Sequence, residues 1–422
     1  MQIALEVSIV LLILYFAIRR PIISVVLLLN IYLIKSVKEI DWFNPSYLQE
    51  DLLGQDMLFG FILPVFVSFF IIARIFFLKH RKLKYRLDII DLLLAIIIII
   101  LFFYIFISPD FYFSLEYFLK LIFIGVIYFY VTKLLISNTR DPMKMIKECF
   151  LTFYFFGIII SMIAYAIVLT NDIVILRLTL PGIHPIPFAQ AIGISFLLSL
   201  LIFITKGRVL NISNSKFLIF NNFMCLYLMI SLFATNTRGI LVATFFSFFF
   251  FLIFNRQRIS ILRKMLIFLF VFAAFFIVLY YIDTSFIFRS ISQDASSGER
   301  LHAFNQCFSL FYNYPFGIGT GSFNYYSNLP YPHNLFLENL ANYGLLGIFW
   351  NIFLIAVICY MLYVCLKVSV KNHYSILFFI IFLYYLIETM FSFTLWMHKG
   401  LFFGFGLLSF ILMVKNYNNL VE

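Results

Sequence analysis

The sequence predicts an all-α polytopic membrane protein, and three observations carry that prediction. Hydrophobic residues fill 64% of the 422 positions and charged residues only 12%, with 59 phenylalanines, so a water-soluble fold would expose too much apolar surface. Apolar runs of about 17–25 residues, the length that crosses a bilayer core as a helix, recur along the whole chain. Most of the 30 Lys and Arg residues fall in every second connection between those runs, as in a chain that threads a membrane repeatedly.

In order, the runs are 4–18, 21–34, 58–78, 87–107, 114–136, 149–169, 187–205, 217–234, 239–254, 265–282, 336–366, 375–395 and 400–414, which predicts about 12–13 transmembrane helices. The first has the length of a secretory signal but lacks a basic leader and a small-residue cleavage site, so it reads as a retained span. Short connections, with no soluble domain and no internal repeat, make residues 1–422 a single membrane domain. Cys149, Cys225, Cys307, Cys359 and Cys365 have neither metal-ligand nor CxxC spacing and read as apolar packing residues.

The formal charge of +11 reports orientation rather than a nucleic-acid partner. Connections 19–20, 79–86, 137–148, 206–216, 255–264 and 367–374, with the tail from Lys415, hold most of the basic residues, together with Arg74 and Lys133 at adjoining span ends, and are expected on the cytoplasmic side. The other connections then face outward: 35–57, 171–189, 235–239 and the long polar excursion 284–333. Two apolar runs separate Arg238 from that excursion. An even number of crossings returns the chain to the same face, so Arg238, Arg300 and His333 are expected to share one side.

The segment 284–335 is the candidate catalytic loop. Ser296 to Glu299 has capping-box spacing and is followed by Leu301, Phe304, Phe308 and Phe311 near helical period, which predicts an amphipathic helix ending around 313–315. Arg300 falls in its first turn, where a guanidinium and the positive end of a helix dipole together suit an anion. The run Gly317-Ile318-Gly319-Thr320-Gly321 follows no strand and is expected to turn the backbone rather than hold a dinucleotide.

Arg238 lies in Thr235-Asn236-Thr237-Arg238-Gly239 between two apolar runs, where an arginine reaching the hydrocarbon would cost about 2.5–3.5 kcal/mol. It either snorkels to headgroups or joins an ordered anion site, and the polar residues before it favour the second reading. Two outward arginines flanking one cavity suit a diphosphate leaving group. His333, after Tyr331-Pro332, has the near-neutral pKa of a general base; Asn334 either fixes its ring or caps the next helix. His184 lies on the same face, whereas His80, His302, His373 and His398 lack such a setting. Arg177, another outward arginine, reads as a substrate contact or a structural residue. Glu388, taken as the one acid deep in a late span, reads as a partner for a basic group or a functional acid. No Asp-x-Asp, Walker glycine loop or His-Glu-x-x-His occurs, so arginines are expected to meet the leaving-group charge without a metal or cofactor.

Thr235-x-Thr-Arg-Gly opening one run, Gly298-x-Arg-Leu heading the loop helix, Tyr314-Pro315 ahead of the glycine run, Pro332-His-Asn-x-x-Leu-Glu and Tyr343-Gly-Leu-Leu-Gly follow one another in order. In these motifs, between Arg177 and Leu354, the chain resembles the O-antigen polymerase and ligase superfamily (Wzy and WaaL type). The resemblance implies a GT-C-like bundle with one large periplasmic loop containing short helices, multi-pass in the bacterial inner (cytoplasmic) membrane. It implies a metal-independent, inverting glycosyltransferase that acts on the periplasmic side on undecaprenyl-diphosphate-linked oligosaccharide. Carried over, Arg238 and Arg300 bind the diphosphate and His333 is the catalytic base, with Arg177, Glu299, Tyr331 and Asn334 as further substrate contacts. Some members double the histidine near the end of the loop, whereas Tyr331 and Pro332 precede His333 here. The form of the Pro-His-Asn motif and the full glycine turn favour a polymerase, whose acceptor is another lipid-linked repeat unit. The alternative acceptor is lipid A-core, as for an O-antigen ligase. Membrane lipid and a chain-length regulator are the further partners expected, with no nucleic acid. A lipid-linked oligosaccharide flippase or transporter would also explain many spans, but it would place charges within several spans near the midplane, whereas here polar residues gather in one outer loop.

Overall fold

The computed structural model describes residues 2–39, 58–78, 85–170, 177–180, 183–254, 295–368 and 374–418, and within these the chain is helical without a strand. In chain order the helices are α1 (Gln2–Arg19), α2 (Pro21–Leu29), α3 (Ile31–Glu39), α4 (Leu63–Leu78), α5 (Ile89–Ile105), α6 (Phe111–Lys120), α7 (Ile127–Asn138) and α8 (Pro142–Thr170). They continue as α9 (Pro185–Thr205), α10 (Ser215–Ala234), α11 (Arg238–Phe254), α12 (Ala295–Asn313), α13 (Phe323–Tyr326), α14 (Leu335–Val368), α15 (Tyr374–Glu388) and α16 (Lys399–Asn418). A π-helical turn joins α6 to α7, and another leads into α4.

Six helical stretches among the described residues are long and apolar enough to cross a membrane, and four shorter apolar helices stand beside them. The chain is an all-α polytopic membrane protein. The run expected at 265–282, the connection at 40–57, His80 and His373 lie outside the described residues.

Burial sorts the helices. Every residue of α15 but Ile387 is buried, and this helix packs against α11, α14 and α16. α9 is buried nearly all round among α8, α10 and α11. In contrast, α10 presents Phe223, Leu226 and Ile230 outward, and α14 presents Phe349, Ile352 and Ile355. A helix apolar on its outer face as well as its inner one needs lipid there.

Three expected spans differ in detail. The run at 21–34 is divided at Asn30, whose side-chain amide turns back to donate to Val26 O at 2.9 Å. The run at 375–395 ends as a helix at Glu388, because Thr389 Oγ1 donates to Leu386 O and Ser392 Oγ donates to Glu388 O, satisfying carbonyls that a continuing helix would have used. The chain then turns through Leu395–Met397 before α16 begins. α14 is continuous in sequence but kinked at Gly344, whose φ of 57° and ψ of −129° lie outside the helical region. A Cβ there would stand 2.1 Å from Pro315 O, so only glycine lets the loop dock at this point.

That docking positions the candidate loop. Ile318 N and Gly319 N donate to the carbonyls of Ala341 and Asn342, Leu345 N donates to Pro315 O, and Thr320 Oγ1 donates to Leu101 O. The glycine run therefore spends its amides on the kink of α14 and on the end of α5, as a backbone turn would. Beneath it Ala303, Cys307, Leu310, Ile318, Phe323 and Ala341 form a small second core that fastens α12 and α13 to α14.

Candidate functional site

A cavity of about 260 Å³ opens where the first turns of α9 and α11, the N-terminal part of α12, the segment before α14 and the turn after α15 converge. Each wall has a local cause. α10 stops at Ala234; Thr235 and Thr237 share a hydroxyl hydrogen bond of 2.7 Å, and Asn236 takes a left-handed φ of 50°. This break lets Arg238 begin α11 at the mouth of the cavity. Gly239 follows it because a Cβ would meet Phe391 Cβ at 2.6 Å; the close approach brings the turn after α15 against α11. Leu178 N donates to Ala234 O at 2.8 Å, which ties the segment carrying Arg177 to the same break.

On the loop side, α12 runs from Ala295 to Asn313; it ends where its sequence pattern predicts but starts ahead of Ser296, so Arg300 falls in the second turn rather than the first, on the cavity wall. Glu299 stands one residue earlier on the same helix, and its side chain lies outside the described set. His333 lies on a strained backbone, with φ of 58°, immediately before α14. Strain of this kind in a non-glycine residue persists where neighbours over-determine it. Here Asn334 Oδ1 caps α14 by accepting from Phe336 N at 3.0 Å and Leu337 N at 3.2 Å, Asn334 Nδ2 donates to Met390 O, and Leu335 N donates to Thr389 O. Asn334 is thus a helix cap, and it pins the His333 segment to the turn after α15.

The cavity brings Arg177, Arg238, Arg300 and His333 together. His184 joins them at the rim, its Nδ1 capping α9 by accepting from Ile186 N at 3.3 Å. Tyr331 lines two adjoining cavities instead, with its ring edge-on to His333 at 4.6 Å between centroids.

Charge in the cavity is lopsided. Among the described residues three guanidiniums face it, and Glu388 is the one carboxylate on its wall. That carboxylate accepts from Gln190 Nε2 at 3.3 Å and from Ser392 Oγ, and it pairs with His398 Nδ1 at 3.1 Å. Burial first, then Arg300 and His184, hold the His333 imidazole down at about 4, so it is neutral near pH 7. Its Nδ1 is buried and meets no hydrogen-bond partner among the described residues. Partial burial, Arg177 and Arg300 likewise lower the His184 pKa. A neutral ring with an unsatisfied nitrogen beside three guanidiniums can accept a proton next to an anion.

Sequence reasoning missed several residues here. Glu388 is not alone among late acids: Glu338, in the first turn of α14, is buried and accepts from Tyr117 Oη at 2.8 Å, Thr394 Oγ1 and Leu395 N. Its place in the Pro332-His-Asn motif was the available signal. His398, set aside in the sequence reading, is buried and bound to Glu388. Gln190 sits inside an apolar run and reaches Glu388 only through the packing of α9 on α15.

A search of the curated proteins finds no match to this chain. Residues 223–352, which run from within α10 through Arg238, Arg300 and His333 into α14, match the family model described as O-antigen ligase.

Proposed function

We propose that the protein is a surface-polysaccharide polymerase. It transfers a glycan from undecaprenyl diphosphate to a sugar hydroxyl of a second lipid-linked repeat unit, at a site on the periplasmic face of the inner membrane. One observation carries the reading: three arginines and a neutral histidine with an open nitrogen line one cavity. The acceptor oxygen attacks the anomeric carbon from the face opposite the diphosphate. The carbon–oxygen bond to the diphosphate breaks with inversion, and the acceptor proton passes to His333. Arg238 and Arg300 meet the charge that grows on the departing polyprenyl diphosphate, with Arg177 at the mouth of the cavity, so the arginines act more strongly on the transition state than on the bound donor. The orientation rests on the basic connections, which the positive-inside rule assigns to the cytoplasm.

The matched family is described as O-antigen ligase, and a second reading takes lipid A-core as the acceptor. A deletion strain separates the two on a surface-glycan gel. Loss of a polymerase leaves core bearing a single repeat unit. Loss of a ligase leaves bare core, with glycan stranded on the lipid carrier. Purified protein in nanodiscs that neither lengthens lipid-linked repeats nor glycosylates lipid A-core would overturn the enzyme reading.

A further inference from the structure

A second cavity of about 250 Å³ adjoins the first, and His184 and Glu388 line both. Its walls are aromatic, from Tyr32, Tyr331, Tyr385 and Phe393, with the amides of Asn30 and Gln190 between them. Phe393 holds a left-handed φ of 53°, and its ring lies 5.9 Å from His184 and 6.4 Å from both Tyr331 and His398. Flat apolar faces interleaved with amides suit a pyranose ring, which stacks by its C–H face and hydrogen-bonds at its edge.

Among the described residues Lys399 carries the one ammonium on the wall of this cavity. It is 4% exposed and lines the cavity, and its Nζ makes no hydrogen bond among the described residues. Its recorded contact is the face of Tyr32, 4.5 Å from the ring centroid. Lys399 is also the first residue of α16, so the positive end of a 20-residue helix adds to its charge instead of opposing it. A cation–π contact returns only part of what an ammonium loses on leaving water. Glu388 does not make up the difference, because it is already bound to Gln190, Ser392 and His398.

We propose that this second cavity is a glycan subsite for an acidic sugar, a uronic acid or similar carboxylate-bearing residue, with Lys399 as the group that pairs with the carboxylate. Taking the sugar as part of the glycan substrate rests on the function proposed above; the binding site itself does not. The ring contact between Tyr331 and His333 sets such a sugar beside the first cavity.

The test titrates full-length protein in phosphatidylcholine nanodiscs with methyl galactopyranosiduronate and with methyl galactopyranoside, read by saturation-transfer NMR. The two probes differ only at C6. The uronate is expected to bind at least about tenfold more tightly, as one charge-assisted hydrogen bond warrants. Lys399→Met is expected to bind both probes alike, which also shows that it is folded, and Lys399→Arg to keep the preference. Equal binding by the unaltered protein, no binding of either probe, or loss of preference in Lys399→Arg as well as Lys399→Met would overturn the proposal. So would displacement of the uronate by inorganic pyrophosphate, which would place it among the arginines, or loss of the preference in phosphatidylglycerol nanodiscs, which would make a lipid headgroup the occupant. Pyrophosphate binding is measured separately in Arg300→Ala. If that variant binds pyrophosphate normally while the uronate preference persists, the function proposed above fails and the subsite stands.

Discussion

At the start of α5, Lys133 sits between Asp88 and Asp91; in the cavity at the start of α11, three arginines and two histidines face one carboxylate. The first cluster is buried and the second is open, with Arg177 and Arg238 exposed, and the two are built to opposite rules. Lys133 is fully buried, 2.9 Å from Asp88 and close against Asp91, with its ammonium also over the Tyr85 ring. Asp88 caps α5 and accepts from Ser409, and Asp91 accepts from Tyr85. Every charge there is answered from within the protein, so the cluster fastens α5, α7 and α16 together. In the cavity the buried Nδ1 of His333 meets no partner among the described residues, which leaves a place for a group from outside the protein. Completeness of hydrogen bonding, rather than the presence of charge, separates the structural cluster from the candidate site among the described residues.

The sharpest way to break that contrast is to delete one member of the cavity. His333→Ala is expected to lower turnover by about 10²–10⁴-fold, the usual contribution of a general base, with the thermal unfolding midpoint unchanged. Arg300→Ala is expected to lose about 10²–10³-fold, since it removes one donor to the developing charge. Turnover of a lipid-linked repeat in nanodiscs, measured beside unfolding by intrinsic fluorescence, gives both readings on one sample. Normal glycan ladders from either variant would remove its assigned role.

Deleting Lys133 should do the reverse. Lys133→Ala leaves two buried carboxylates facing each other, which costs about 3–5 kcal/mol of stability. The expected outcome is a lower unfolding midpoint and less inserted protein, with turnover per folded molecule close to normal. If Lys133→Ala instead unfolds normally and stops turnover, the two clusters are not different in kind.

A pH series sharpens the comparison further. The base works deprotonated, so activity is lost as pH falls through its pKa. For kcat/KM, which reports the free enzyme, that loss is expected around pH 4, where burial and Arg300 hold His333. A bound diphosphate offsets the push of Arg300, so the acid limb of kcat should lie at higher pH. Because the folded pKa is depressed, the contribution of His333 to stability is present above its unfolded pKa and declines as pH falls towards 4. Coincident limbs for kcat and kcat/KM would mean that no anion sits beside the imidazole.

Much of the fold was legible because a bilayer leaves few options: a long apolar run must become a helix. The break at Asn30, the stop at Glu388 and the kink at Gly344 were not, since each depends on a partner distant in sequence or on a side chain turning back on its own helix. The arginines and His333 stood out as polar residues in apolar surroundings, and the parity of crossings argued for one face. Their meeting in a single cavity depends on tertiary contacts, such as Gly239 against Phe391, that no local pattern contains. His398 and Lys399 stayed hidden for a related reason. A His-Lys pair at the start of an apolar run reads as an interfacial anchor until burial and the place of Glu388 are known.

The smallest effect belongs to Asn334, which joins the structural and functional parts of the loop. Asn334→Ala removes the cap of α14 and the bond to Met390 O, and a lost cap costs about 1 kcal/mol. Asn334→Ser restores a capping oxygen but cannot donate an amide to Met390. If the cap alone matters, stability and turnover both return in the serine variant. If the bond to Met390 also holds His333 at its strained φ, stability returns while turnover stays a few-fold low, and the acid limb of kcat/KM moves up as the loosened ring gains water. Recovery of both would leave the placement of His333 to the packing of Tyr331 and the hydrogen bond between Leu335 N and Thr389 O.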